Sequence, residues 1–180
     1  VPANPHGQSA PKTAWRHAGS IGRQVLALAG FLALSYAVCL LAAVPITLHM
    51  NGWFAASTKA PWMPAGWMFR SVWMVLYACI GVSGWLVWRR GALTGRVLRR
   101  YGLQLLLNLA WPFAFFAMYP MLGPVALWLA LAVICALAGV LVLLILDVGP
   151  VHTLAGLLVL PYFSWVVFSA SLNLYSAVYN

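Results

Sequence analysis

Glutamate is absent from this chain, and Asp147 is its only aspartate. Paired-carboxylate acid–base catalysis has no residues to run on, and a hard-metal site has too few oxygen donors. Proton- and cation-coupled transporters carry intramembrane carboxylates. Here the one carboxylate stands at the end of an apolar run, so ion coupling has no obvious residue, and no phosphate-binding loop is present to drive transport. Charged residues make up only 6% of the chain, against about 25% in a soluble domain. Cysteine is sparse too. Cys39, Cys79 and Cys135 fall in three separate apolar segments without metal-ligand spacing, and they read as small buried or lipid-facing residues.

What is present in quantity is apolar surface. Hydrophobic residues account for 64% of the chain, too many to leave a water-facing exterior, so this is an integral membrane protein. Barrel strands would alternate apolar and polar residues. The runs here are long and continuous, so the spans are helices. The net charge of +9 comes from basic residues flanking those runs. They read as topology determinants and lipid-headgroup contacts, not as a nucleic-acid surface.

Residues 1–20 are polar and hold several prolines and glycines together with His6 and His17; they read as a flexible tail. Residues 21–180 read as one all-α membrane domain, a five-transmembrane-helix bundle. The expected spans are Ile21–Leu48, Trp67–Trp88, Tyr101–Tyr119, Val125–Leu146 and Val151–Ser176. The first is too long for a signal-peptide core, and Pro45 is expected to kink or fray its end. Pro112 is expected to bend the third. His49–Gly66 reads as a loop rich in tryptophan and proline, Arg89–Arg100 as a loop with five arginines, and Tyr119–Pro124 as a tight turn. With five spans, the basic residues other than Lys59 and Arg70 fall on one side, which the positive-inside rule places in the cytoplasm together with the amino terminus.

Three helices carry polar and aromatic stripes at helical spacing. Phe69, Arg70, Trp73 and Tyr77 share an arc on the second. Gln104, Asn108, Trp111 and Phe115 follow i, i+4, i+7, i+11 on the third. Tyr162, Trp165, Ser169 and Asn173 follow i, i+3, i+7, i+11 on the fifth. Lipid favours neither Gln nor Asn, so the stripes point inward. Two readings stand: hydrogen-bonded glue between helices, or a pocket for a flat, largely apolar ligand stacked on tryptophan. Arg70 reads either as a residue snorkelling to headgroups, or as a cation for a ligand carboxylate or for the ring of Trp73. Lys59 reads either as a solvated loop lysine or as a second cation for a ligand carboxylate. His49 and His152, at helix ends, read as interface residues rather than haem ligands.

At these residues the chain resembles the TspO/MBR family, the translocator proteins that include the peripheral benzodiazepine receptor. The family's first-loop pattern W-Y-x-x-L-x-K-P-x-W-x-P-P, then F-x-x-x-W-x-x-L-Y, is answered by Trp53, Phe54, Lys59, Trp62, Pro64, Phe69, Trp73, Leu76 and Tyr77. Its Q-x-x-x-N-x-x-W is matched by Gln104, Asn108 and Trp111, with Phe115 and Phe116 after it. Its P-Y-x-x-W followed by L-N is matched by Pro161, Tyr162, Trp165, Leu172 and Asn173. There are departures. Ala60 and Ala65 replace prolines, Phe54 replaces tyrosine, Arg70 stands where some members have proline or a small residue, and Ser169 where alanine is frequent. The carboxy-terminal cholesterol-associated pattern lacks its basic residue; its reverse can be read at Arg99–Leu103.

The resemblance implies a bacterial-type member, often a homodimer, in the cell membrane. It implies binding of tetrapyrroles such as protoporphyrin IX or haem as ligands, with no obligatory cofactor, and binding of sterol or benzodiazepine-type molecules. It implies a role as translocator, receptor, or sensor of porphyrin and stress metabolism. The implied pocket lies under the first loop as a lid. It draws on Trp53, Lys59, Trp62, Phe69, Arg70, Trp73, Tyr77, Gln104, Asn108, Trp111, Tyr162, Trp165, Ser169 and Asn173. An alternative implied activity is light- and oxygen-dependent porphyrin breakdown, for which Trp73 and Trp165 match the tryptophans concerned. Small residues such as Ala132, Ala136 and Gly139 permit close helix packing without identifying a dimer face.

Overall fold

The computed structural model describes residues 20–180; the stretch carrying His6, Lys12, Arg16 and His17 lies outside the described residues. The described chain is all helical. Its elements are α1 (Ile21–His49), α2 (Trp53–Ala56), α3 (Gly66–Arg89), α4 (Gly95–Pro112), a π turn (Phe113–Ala117), α5 (Tyr119–Leu122), α6 (Pro124–Val148) and α7 (Thr153–Tyr179). Four of them, α1, α3, α6 and α7, are long and apolar enough to cross a membrane. Helix α4 is less apolar because Arg96, Arg99 and Arg100 lie in its first turns.

The helix boundaries expected from sequence lie close to these, with four differences of physical interest. The arginine-rich stretch is not all loop. The turn is confined to the residues around Gly91, which has a φ of 66°, and the helix resumes at Gly95. Arginine is a good helix former, and positions 96, 99 and 100 share one face, so Arg96 and Arg99 are exposed and Arg100 turns to α6, while Tyr101 is buried. The first loop contains the one-turn helix α2, and the expected turn at Tyr119–Pro124 contains the one-turn helix α5. The third expected span is not uniform. Pro112 has no N–H for the carbonyl of Asn108, the ladder loosens, and the next turn widens to a π turn closed by Met118 N–H to the Phe113 carbonyl at 3.1 Å. Finally, α6 runs to Val148, so Asp147 lies within the helix. Pro45 sits inside α1, which continues four residues beyond it.

The long helices close into a ring. α1 packs on α3, α3 on α7, α7 on α6, α6 on α4, and α4 back on α1. Close approach depends on two glycines of α3. A Cβ at Gly84 would stand 2.6 Å from the ring of Tyr101, and one at Gly81 would stand 3.2 Å from the α1 backbone at Leu32 and Phe31. Tyr101 uses the room at Gly84 to donate to the Ile80 carbonyl at 3.1 Å. Helix α1 is the loosest member of the ring: only Ser35, Ala42 and Pro45 are buried along its length.

The two ends of the ring differ chemically. One end carries Arg23, Arg89, Arg90, Arg96, Arg99 and Arg100. There Arg23 lies over Trp88 and Arg89 over Trp85, at 5.6 and 4.7 Å from the ring centroids. Asp147 ties α6 to α4 at this end. Its carboxylate, 8% exposed, accepts from Arg100 and is 3.2 Å from Arg96. The other end is closed by α2 and the loop that follows it, which form a lid.

Candidate ligand-binding site

Beneath the lid lies a cavity of about 190 Å³. Its walls are almost wholly apolar: Ile46 and Met50 from α1, Phe54 from α2, Met63 and Pro64 from the lid, Phe69 from α3, Trp111 from α4, Phe115 and Phe116 from the π turn, and Leu172 from α7. The polar groups are few and come from one face of α7, namely Ser169, Asn173 and Ser176. A second cavity of about 80 Å³ lies beside it, lined by Cys39, Ala42, Ala43, Trp73, Tyr77, Asn108 and Pro112. The two share Ile46, Phe69 and Trp111 as walls.

The π turn explains why two successive phenylalanines face the chamber. It also explains the position of the lid. The carbonyl of Phe116 would normally accept from residue 120, but residue 120 is proline. The indole of Trp53 takes the vacant place, donating from Nε1 at 3.1 Å. Trp53 also stacks on Tyr119 with ring centroids 3.8 Å apart. Trp53 therefore anchors the lid and does not line the cavity.

The rest of the lid is held from α7. Asn180 pairs with both backbone groups of Thr58: its Oδ1 accepts the Thr58 N–H at 2.6 Å and its Nδ2 donates to the Thr58 carbonyl at 3.2 Å. Trp62 donates to Ser171 Oγ at 3.2 Å and meets Tyr175 edge-on. Lys59 turns inward on its own loop. Its ammonium donates to the carbonyls of Phe54 and Ser57 and to Ser57 Oγ, and lies 4.3 Å from the centroid of the Phe54 ring. Partial burial there lowers its pKa below the ordinary lysine value.

Of the residues singled out from sequence, Phe54, Pro64, Phe69, Trp111, Phe115, Phe116, Ser169, Leu172 and Asn173 line the larger cavity, and Phe69, Trp73, Tyr77, Asn108 and Trp111 the smaller. Trp53, Lys59 and Trp62 hold the lid in place, Trp53 to the π turn, Trp62 to α7 and Lys59 within the loop itself. Arg70 is exposed and makes no ring contact with Trp73 among the described residues. Trp165 packs on Phe69 and Phe168, with centroids 5.6 and 5.1 Å away, outside both cavities. Phe69 thus separates Trp165 from Trp73. Gln104 and Tyr162 are fully buried behind the smaller cavity, against Ser83 and Tyr101.

The polar stripes turn out to hold helices together as well as to face the chamber. Tyr77 donates to Asn108 Oδ1 at 3.1 Å, and Asn108 Nδ2 donates to Tyr162 at 2.6 Å, joining α3, α4 and α7. Trp111 Nε1 donates to Asn173 Oδ1 at 2.9 Å, and Asn173 Nδ2 donates to the Leu127 carbonyl at 2.9 Å, joining α4, α7 and α6. Among the described residues, neither amide atom of Gln104 has a partner, nor has the hydroxyl of Ser169.

A family model described as the TspO/MBR family matches residues 27–178. The chain belongs to the TspO/MBR family. It is 33% identical to the Translocator protein of Homo sapiens over 132 residues, covering 70% of this chain and 75% of that one. It is 34% identical over 122 residues to the Tryptophan-rich protein TspO of Archaeoglobus fulgidus, covering 67% and 75%. With the Tryptophan-rich protein TspO of Chlorobaculum tepidum it shares 30% identity over 161 residues, 85% of this chain and 95% of the other. Membership and the apolar helices together make this TspO/MBR chain an integral membrane protein. Ile46, Met50, Met63 and Ser176 line its cavity without having been singled out from sequence. Ser176 continues the α7 stripe three residues past Asn173, so extending that spacing finds it; the aliphatic side chains look like any lipid-facing residue until the lid is in place.

Proposed function

We propose that this TspO/MBR protein is a five-span membrane receptor or carrier for a tetrapyrrole of the protoporphyrin IX or haem class, with its lid on the non-cytoplasmic side. The observation that carries the reading is the chamber itself: aromatic walls from four elements, a few hydroxyl and amide groups on one side, and a closing loop. Flat aromatic ligands stack on such walls. The fifth span is α4 with its π turn, whose arginines gather at the cytoplasmic end; the clustering of basic residues there supports the orientation.

Size sharpens the reading. Sites for drug-sized ligands span about 300–1,000 Å³, and the larger cavity is smaller than that. A macrocycle needs the two chambers joined, and Ile46, Phe69 and Trp111 are the side chains they share as walls. Binding is therefore coupled to movement of Phe69 and the lid. Sterol or benzodiazepine-type ligands would use the same chamber.

The test is titration of the purified protein with protoporphyrin IX, read by tryptophan fluorescence. Saturable quenching is expected, and Ser169→Leu, which fills the larger chamber from α7, is expected to weaken it at least tenfold. Non-saturable quenching, or equal affinity in the filled variant, rejects this chamber as the site.

A further inference from the structure

The lid end of the bundle carries two strong cations, Lys59 and Arg70, and they are not equivalent. Lys59 is saturated by carbonyl and hydroxyl acceptors of its own loop. Arg70 is exposed and takes part in none of the ion pairs or ring contacts among the described residues. Its guanidinium folds back along the helix toward Gly66: a Cβ built on Gly66 would stand 3.8 Å from Arg70 Nη1. Gly66 is itself part of the wall of the larger cavity. One side-chain-free residue therefore separates this cation from the chamber.

Helix α3 begins at the same place and begins uncapped. Ala65 offers no side-chain acceptor. The first bonded amide is that of Phe69, to the Ala65 carbonyl at 3.1 Å, so the N–H groups of Gly66, Trp67 and Met68 have no acceptor among the described residues. These amides and the helix dipole favour an anion. An independent observation comes from across the chamber. Ser169 is fully buried, lines the same cavity, and has a hydroxyl without a partner among the described residues. A buried hydroxyl left unmatched by protein is one that a ligand can match.

We infer that the lid end of the cavity is an acid-selective subsite. A carboxylate on the ligand's edge sits between the first amides of α3 and the Arg70 guanidinium, and Ser169 meets a polar atom further along the ligand. The inference rests on the tetrapyrrole reading and assigns the end of the chamber at which a carboxylate of such a macrocycle is held. A lipid phosphate would be drawn by the same cation. The carboxylate of a cavity ligand is the better match, because Gly66 belongs to the chamber wall.

The experiment compares protoporphyrin IX with its dimethyl ester, in neutral detergent, on the wild type, Arg70→Gln and Arg70→Lys. The wild type is expected to prefer the free acid about tenfold, the scale of one charge-assisted hydrogen bond at a partly solvated site. Arg70→Gln should abolish the preference while leaving ester affinity unchanged, which also shows that the variant is folded. Arg70→Lys should keep part of it, since it retains the charge but not the fork. Equal binding of acid and ester by the wild type, or an undiminished preference in Arg70→Gln, overturns the subsite. Titrating phosphatidylglycerol into the detergent supplies the competing source. If Arg70→Gln removes lipid binding and leaves the acid-to-ester ratio alone, the cation serves headgroups and the subsite is rejected. If neither porphyrin binds, the tetrapyrrole reading fails and takes the subsite with it, a result distinct from equal binding of both.

Discussion

Replacing Asn108 with leucine tests how the polar stripes stabilise the bundle. The change keeps size and shape while removing an acceptor and a donor. It leaves two phenol groups stranded, Tyr77 at 2% and Tyr162 at 0% exposure, which otherwise bond Asn108 at 3.1 and 2.6 Å. In soluble proteins an orphaned buried group costs about 1–3 kcal/mol. Interhelical hydrogen bonds in membranes average about 0.6 and reach about 1.7 kcal/mol, because the chain before assembly also finds partners. Two such bonds, one of them short, place the loss at about 1.5–3 kcal/mol. The assay is reversible unfolding in mixed micelles by titration with a denaturing detergent. The companion variant combines Asn108→Leu with Tyr77→Phe and Tyr162→Phe. Removing every member of the network is nearly neutral where removing one is not, so the triple variant should recover most of the loss. A single variant within about 0.5 kcal/mol of wild type, or a triple variant no better than the single, refutes the reasoning.

Three further outcomes follow from the same physics. Gln104→Met should raise stability by about 1–2 kcal/mol, because it removes an amide with no partner and keeps the volume; a lower thermal midpoint would show that Gln104 has a partner in the membrane. Asp147→Asn should lower stability by about 1–3 kcal/mol, chiefly through half-buried Arg100, since an exposed pair such as that with Arg96 adds little; adding Arg100→Met should restore part of it in the same unfolding assay. Asn180→Ala should loosen the lid at Thr58, so that stopped-flow mixing shows faster ligand association and dissociation with the equilibrium affinity little changed.

Much of this arrangement is legible in the residues alone. Continuous apolar runs mark α1, α3, α6 and α7, and the spacing of Gln104, Asn108 and Trp111 marks the inward face of α4. Spacing reports which way a side chain points, but not what it meets. Asn108 and Asn173 prove to be bonded to neighbouring helices, while Gln104 and Ser169 have no partner among the described residues; the three amides and one hydroxyl look alike in sequence. Lys59 is a residue of the lid's interior because the carbonyls of Phe54 and Ser57 converge on it, a property of the loop's path. The helical character of Gly95–Arg100 is hidden by its charge, which suggests solvent but does not break a helix. The π turn has a sequence cause in Pro112, yet its effect, turning both Phe115 and Phe116 toward the cavity, depends on where the ladder resumes.

The bond between Trp53 and the Phe116 carbonyl has a consequence for how the lid is set. The acceptor is open because the residue four places on is proline, with no amide hydrogen to offer, and the amide five places on, that of Met121, donates to the Met118 carbonyl instead. The resting position of the lid is thus written partly in a different segment of the chain, as the absence of a competitor. Restoring an amide at position 120 creates a rival for the carbonyl and displaces the indole by exchange, with every lid residue intact. Opening becomes a contest between two donors for one oxygen, and its balance can be tuned from a residue that belongs neither to the lid nor to the cavity walls.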